Sequence, residues 1–100
     1  MKIRSASHRR FISQQPCIIS GRRGDDIHAH HLMEIWLKGV GRKASDIWCI
    51  PLHYTIHDAL HKNGNEVAFF ANHGLEYEQV KAIAMQFAGN SPDARIRNNI

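Results

Sequence analysis

Hydrophobic and polar positions change period several times along this chain. Residues 7–15, SHRRFISQQ, suit a short helix with Ser7 as its cap, ended by Pro16. CIIS (17–20) reads as a brief extended segment, and GRRGDD (21–26) as a turn rich in Gly and charge. IHAHHLM (27–33) alternates in part, as a strand does, and KGVGRKASD (38–46) is a basic, Gly-containing loop. DIWCIPL (46–52) is the most strand-like run, with Pro51 expected to close it. Two strands joined by that loop make a hairpin.

Beyond Pro51 the period becomes helical. HYTIHDALHKNG (53–64) predicts about three turns stopped near Gly64. NEVAFFANHG (65–74) predicts a second helix, capped by Asn65 and stopped at Gly74. YEQVKAIAMQFA (77–88) predicts a third, with Tyr77, Val80, Ala84 and Phe87 along one face. The remainder, GNSPDARIRNNI (89–100), is polar and is expected to be a flexible tail. The expected architecture is α+β: an N-terminal helix, a hairpin, and a helix followed by two more, with residues 1–88 forming one domain.

Composition narrows the function classes. A chain of 100 residues with 43% hydrophobic residues can bury a modest core. Lys and Arg total 13 against 9 acids, for a net charge of +4. The excess is concentrated at the start: Lys2, Arg4, Arg9, Arg10, Arg22 and Arg23 precede the first acid, Asp25. Such an end suits phosphate contacts or a solvated surface equally. Two cysteines, Cys17 and Cys49, make no disulfide framework. No apolar run approaches the roughly 20 residues of a membrane span, and no signal peptide is evident. A cytoplasmic protein without a membrane partner is expected.

Histidine is the unusual component. Six of the eight histidines fall in two short segments: His28, His30 and His31, then His53, His57 and His61. His57 and His61 are four apart, so a helix places both rings on one face. That spacing lets one helix supply two ligands to a metal ion, and the preceding strand can supply a third from His30. Three protein ligands with an open position characterise a catalytic site. The same pair, taken alone, is more often two surface side chains. His28 shares a strand face with His30 and is a rival ligand. A helix begun one turn earlier would also stack His53 beneath His57.

The series PCIISG, AHHLM, G-x-x-x-K-A-S-D, PLHYTIHDALH and a later HG resembles the Ref family from about Arg4 to Phe87. These are phage and prophage recombination-enhancement nucleases of the HNH, or ββα-metal, type, and they depend on RecA. The resemblance implies a metal-dependent DNA endonuclease, with His30, His57 and His61 as ligands of one divalent ion (Mg, Mn or Zn). It implies that His31 is the general base that deprotonates the attacking water. Adjacent strand residues point to opposite faces, so His30 and His31 can serve one phosphate only if the strand ends, twists or bulges there. Backbone contacts to DNA are expected from Lys43, Arg42, Arg22 and Arg23, with little base specificity. A RecA filament is a further partner the resemblance suggests. Many HNH relatives hold a structural zinc; the corresponding positions here are Cys17, Ser20, His53 and Ile56. Only Cys17 and His53 could ligate it, so no structural zinc is expected. A metal-stabilised nucleic-acid-binding module without catalysis is the alternative.

Overall fold

A computed structural model describes residues 3–33 and 45–100. Helix α1 (Ala6–Ser13) comes first, then strand β1 (Ile27–His31), a single 3-10 turn (Asp46–Trp48) and strand β2 (Cys49–His53). Four helices complete the chain: α2 (Tyr54–Asn63), α3 (Glu66–Asn72), α4 (Tyr77–Gly89) and α5 (Ala94–Arg97). The architecture is α+β, an antiparallel hairpin surrounded by helices.

Local chemistry explains most boundaries. The cap of α1 is Ser5 rather than Ser7; its side chain accepts from the His8 amide. Strand β2 runs through Pro51 to His53 instead of closing at the proline. Pro51 pairs with Ala29, and its carbonyl accepts from the Ile18 amide on the side away from β1. Its missing N–H therefore faces outward and removes no ladder bond. Helix α2 is capped by the His53 ring, which accepts from the Thr55 amide, and stops at Gly64. Gly64 adopts φ 79°, a left-handed conformation that glycine takes without steric cost. Asn65 caps α3 through the Ala68 amide.

The larger core lies between the hairpin and the helices. Leu32, Ile50 and Leu52 meet Leu60 of α2, Phe69 and Phe70 of α3, and Val80 and Ala84 of α4. A smaller cluster joins Ile3, Ile47, Ala88 and Ile96, and half-buried Trp48 packs against both. Trp36 lies outside the described residues.

Residues 89–100 differ from the expected loose tail. Asp93 caps the short α5 by accepting from the Arg95 amide, and Ile96 has no exposed surface. The segment is tied to the N-terminus: Ser5 Oγ donates to Asp93 Oδ2 at 2.5 Å, and His8 Nδ1 stands 2.8 Å from Ser91 Oγ. His8, which the sequence offers no reason to single out, is fully buried. Buried Ile96, packed with Ile3, Ile47 and Ala88, and these polar ties together dock the segment. Replacing Ile96 by Ala should cost about 2–4 kcal/mol through the cavity left behind. Urea denaturation would measure it, and an unchanged midpoint would mean that this segment is not docked.

Candidate metal centre

Strand alternation sets the geometry of the site. From β1, His30 points toward α2 and α3, while His31 points to the opposite side. On α2, the four-residue spacing stacks His57 and His61, with their Nε2 atoms 2.9 Å apart. The ring centroid of His30 lies 5.0 Å from that of His57 and 5.8 Å from that of His61. Donor atoms of His30, His57 and His61 all fall within 4.8 Å of one another. Two imidazole nitrogens bound to one ion at about 2.0–2.1 Å stand roughly 3 Å apart, so the spacing fits a shared ion.

The electrostatics fit as well. Burial lowers the pKa of His30, against the opposing pull of Glu66. Burial first, then the neighbouring His30, His61 and His28, lowers His57 to about 4. Both shifts favour the neutral ring, whose lone pair is what metal ligation requires.

The remaining histidines take other places. His28 is exposed, and its Nδ1 meets Nδ1 of His57 at 2.9 Å, outside the converging trio. It stands behind His57, where it leaves the Nε2 side to the cluster. His53 is buried and caps α2. Cys17 is buried beneath the turn before β1. Burial acts to raise its pKa, but bonds from Ser20 and from the His53 and Ile19 backbone outweigh it and leave the thiol below its ordinary value. Ile56 packs half-buried against the core. Arg22 and Arg23 are exposed in the turn ahead of β1; Arg42 and Lys43 lie outside the described residues.

His31 is 9% exposed and stands apart from the trio, its Nε2 2.7 Å from Asp46 Oδ1. Asp46 is fully buried. It also accepts from the Ser5 amide at 2.6 Å, from Arg4 at 3.3 Å and from Arg9. Burial alone would raise its pKa; His31, Ser5 and Arg9 together hold it well below the usual carboxylate range. Donor atoms of His31, Asp46 and Cys49 also converge, yet the two guanidiniums already neutralise this carboxylate and disfavour a cation. The site is an orienting contact for an imidazole: with Nε2 held by Asp46, Nδ1 is the nitrogen left to take a proton.

The residue that sequence reasoning missed is Glu66. It is only 6% exposed, with Oε1 2.5 Å from His30 Nε2. The phenol of Tyr77 donates to its other oxygen at 2.5 Å. An acid directly after a helix cap is common and gave no signal of its own.

A family profile described as "Protein of unknown function (DUF968)" matches residues 1–88. The chain belongs to the DUF968 family. This DUF968 member is also similar to "Uncharacterized protein YdfU" of Escherichia coli (strain K12), with 35% identity over 71 residues. That match covers 71% of this chain and 19% of the relative, so the chain spans about a fifth of the relative's length. No solved structure matches it significantly. No helix among the described residues is long and apolar enough to cross a membrane.

Two outcomes follow for this DUF968 chain. It should take up one divalent ion, titrated with zinc or cobalt. His57→Ala and His61→Ala should each weaken uptake by at least the roughly 10–100-fold expected of outer-shell changes. Undiminished affinity in both variants would remove the trio as a metal centre. Asp46→Asn should lose about 1.5–3 kcal/mol at pH 7, the worth of a hydrogen bond to a charged group. Because the folded-state pKa of Asp46 is depressed, its contribution is present above the unfolded value of about 4 and is lost as pH falls through the folded value. The gap between wild type and variant in urea unfolding should therefore close on acidification from pH 5 downward. A gap independent of pH would contradict this.

Proposed function

We propose that this chain is a metal-dependent DNA endonuclease of the HNH, ββα-metal type, related to the Ref nucleases. The observation that carries the reading is the convergence of His30 from β1 with His57 and His61 from α2. His30 lies on the first strand of the hairpin, and His57 and His61 lie on the helix that follows its second strand.

In this reading His30, His57 and His61 hold one divalent ion, with Mg, Mn and Zn as candidates. When bound, such an ion stabilises negative charge on the scissile phosphate and the departing 3′ oxygen. His31 is the last residue of β1, so the strand ends where one phosphate would have to reach both rings. In this reading His31 takes the proton of the attacking water at Nδ1, with Asp46 fixing its tautomer and supporting the imidazolium that results. Arg22, Arg23, Arg42 and Lys43 bind the DNA backbone without reading bases, so binding should fall steeply with salt. In this reading the protein acts in the bacterial cytoplasm, in phage or prophage recombination, with a RecA filament as its partner.

A second reading has its own support. His31 lies on the strand face away from the trio and is tied to a buried carboxylate. This favours a metal-stabilised nucleic-acid-binding module in which His31 serves only to hold the fold.

Plasmid nicking separates the two. With magnesium, manganese or zinc, the purified protein should nick supercoiled DNA. His31→Ala should lower the rate by about 10²–10⁴-fold, the usual worth of a general base, with binding largely retained. Equal cutting by the variant would remove His31 as the base. Metal-dependent DNA binding without any cutting by wild type would favour the second reading.

A further inference from the structure

We propose that Glu66 and Tyr77 are positioning residues for the metal centre: Glu66 fixes the tautomer and orientation of His30, and Tyr77 fixes Glu66. The inference deepens the proposed metal-centre reading and rests on it only for the identity of the site.

The geometry comes from three elements. His30 is on β1, Glu66 opens α3, and Tyr77 opens α4. His30 Nε2 lies 2.5 Å from Glu66 Oε1, and Tyr77 donates to Glu66 Oε2 at 2.5 Å. His30 is 2% exposed and Glu66 6%. A carboxylate removed from water at this depth is strongly disfavoured unless polar partners satisfy it, so the contacts are energetically consequential. Tyr77 donates to one oxygen of Glu66 and His30 Nε2 abuts the other, an arrangement that suits the ionised, acceptor-only carboxylate; the proton of a neutral His30 then sits on Nε2. The lone pair then belongs to Nδ1, and the ring cannot rotate without breaking the bond to Glu66. A ligating histidine whose second nitrogen donates to a carboxylate is better aimed and more basic than one bonded to water.

His57 shows the same division of labour more weakly. Its Nδ1 meets the exposed His28 while its Nε2 meets His61. Of the three rings, that of His30 is the one paired with a buried carboxylate. Helices α3 and α4, which supply no ligand to the trio, thus act on the centre through Glu66.

The test compares wild type with Glu66→Gln, Glu66→Ala and Tyr77→Phe, using cobalt or zinc as the probe. Glu66→Ala should weaken uptake of the ion by about 10–100-fold. Glu66→Gln keeps the shape but loses the charge and should fall between it and wild type; Tyr77→Phe should show a smaller loss. Nitrogen NMR of the imidazoles in the metal-free protein is the second readout. Wild type should show His30 protonated at Nε2, and Glu66→Ala should show mixed tautomers. A purely structural role would lower urea stability in the variants but leave tautomer and affinity unchanged, and that result would overturn the proposal. If wild type takes up no ion at all, the metal-centre reading fails. The metal-free tautomer then still decides whether Glu66 fixes His30.

Discussion

The alternation of side chains across a strand governs this molecule at one step, His30 to His31. Neighbouring residues of β1 cannot face the same way, so two adjacent imidazoles enter two separate buried networks. On one side His30 meets His57, His61 and Glu66. On the other His31 meets Asp46, through which it is linked to Ser5, Arg4 and Arg9. Each imidazole is held by a carboxylate, and each carboxylate has partners of its own. The strand backbone is what the two networks share. A displacement of β1 would disturb both at once.

Two-stranded hairpins are marginal in isolation. This one is sandwiched: its apolar residues face α2, α3 and α4, and its first strand also packs beside α1. The polar networks add what hydrophobic packing does not supply, namely a unique arrangement. Buried carboxylates such as Asp46 and Glu66 are costly unless satisfied, so alternative packings that leave them unpaired are penalised. Asp46 joins the 3-10 turn to a segment 41 residues earlier, and Ser5 in turn joins that segment to Asp93. Ser5 and Asp93, far apart in the chain, are thereby brought together beside the 3-10 turn. In the proposed reading, a cation held by His30, His57 and His61 adds a further tie between β1 and α2, and its binding free energy would stabilise the fold by mass action.

Much of this was written locally in the sequence. The helices 53–64, 65–74 and 77–88 could be placed because caps, left-handed glycines and apolar spacing act within a few residues. The facing of His57 and His61 follows from the helical repeat, and the opposed directions of His30 and His31 follow from the strand repeat. Their convergence could be anticipated only as far as a hairpin followed by a helix implies it.

What tertiary structure decided is the set of partners that no local rule names. Glu66 lies 36 residues from His30, and its role depends on where α3 lands against β1. Ser5, His8 and Ile96 look unremarkable in their own neighbourhoods, yet chain ends that fold back on each other bury all three. The sequence by itself determined which rings share a helix face and which share a strand face, because those depend on repeats of a few residues. Only the packed structure decided which carboxylate holds each ring. That choice depends on contacts between segments far apart in the chain, whose pairing is settled by the shape of the common core.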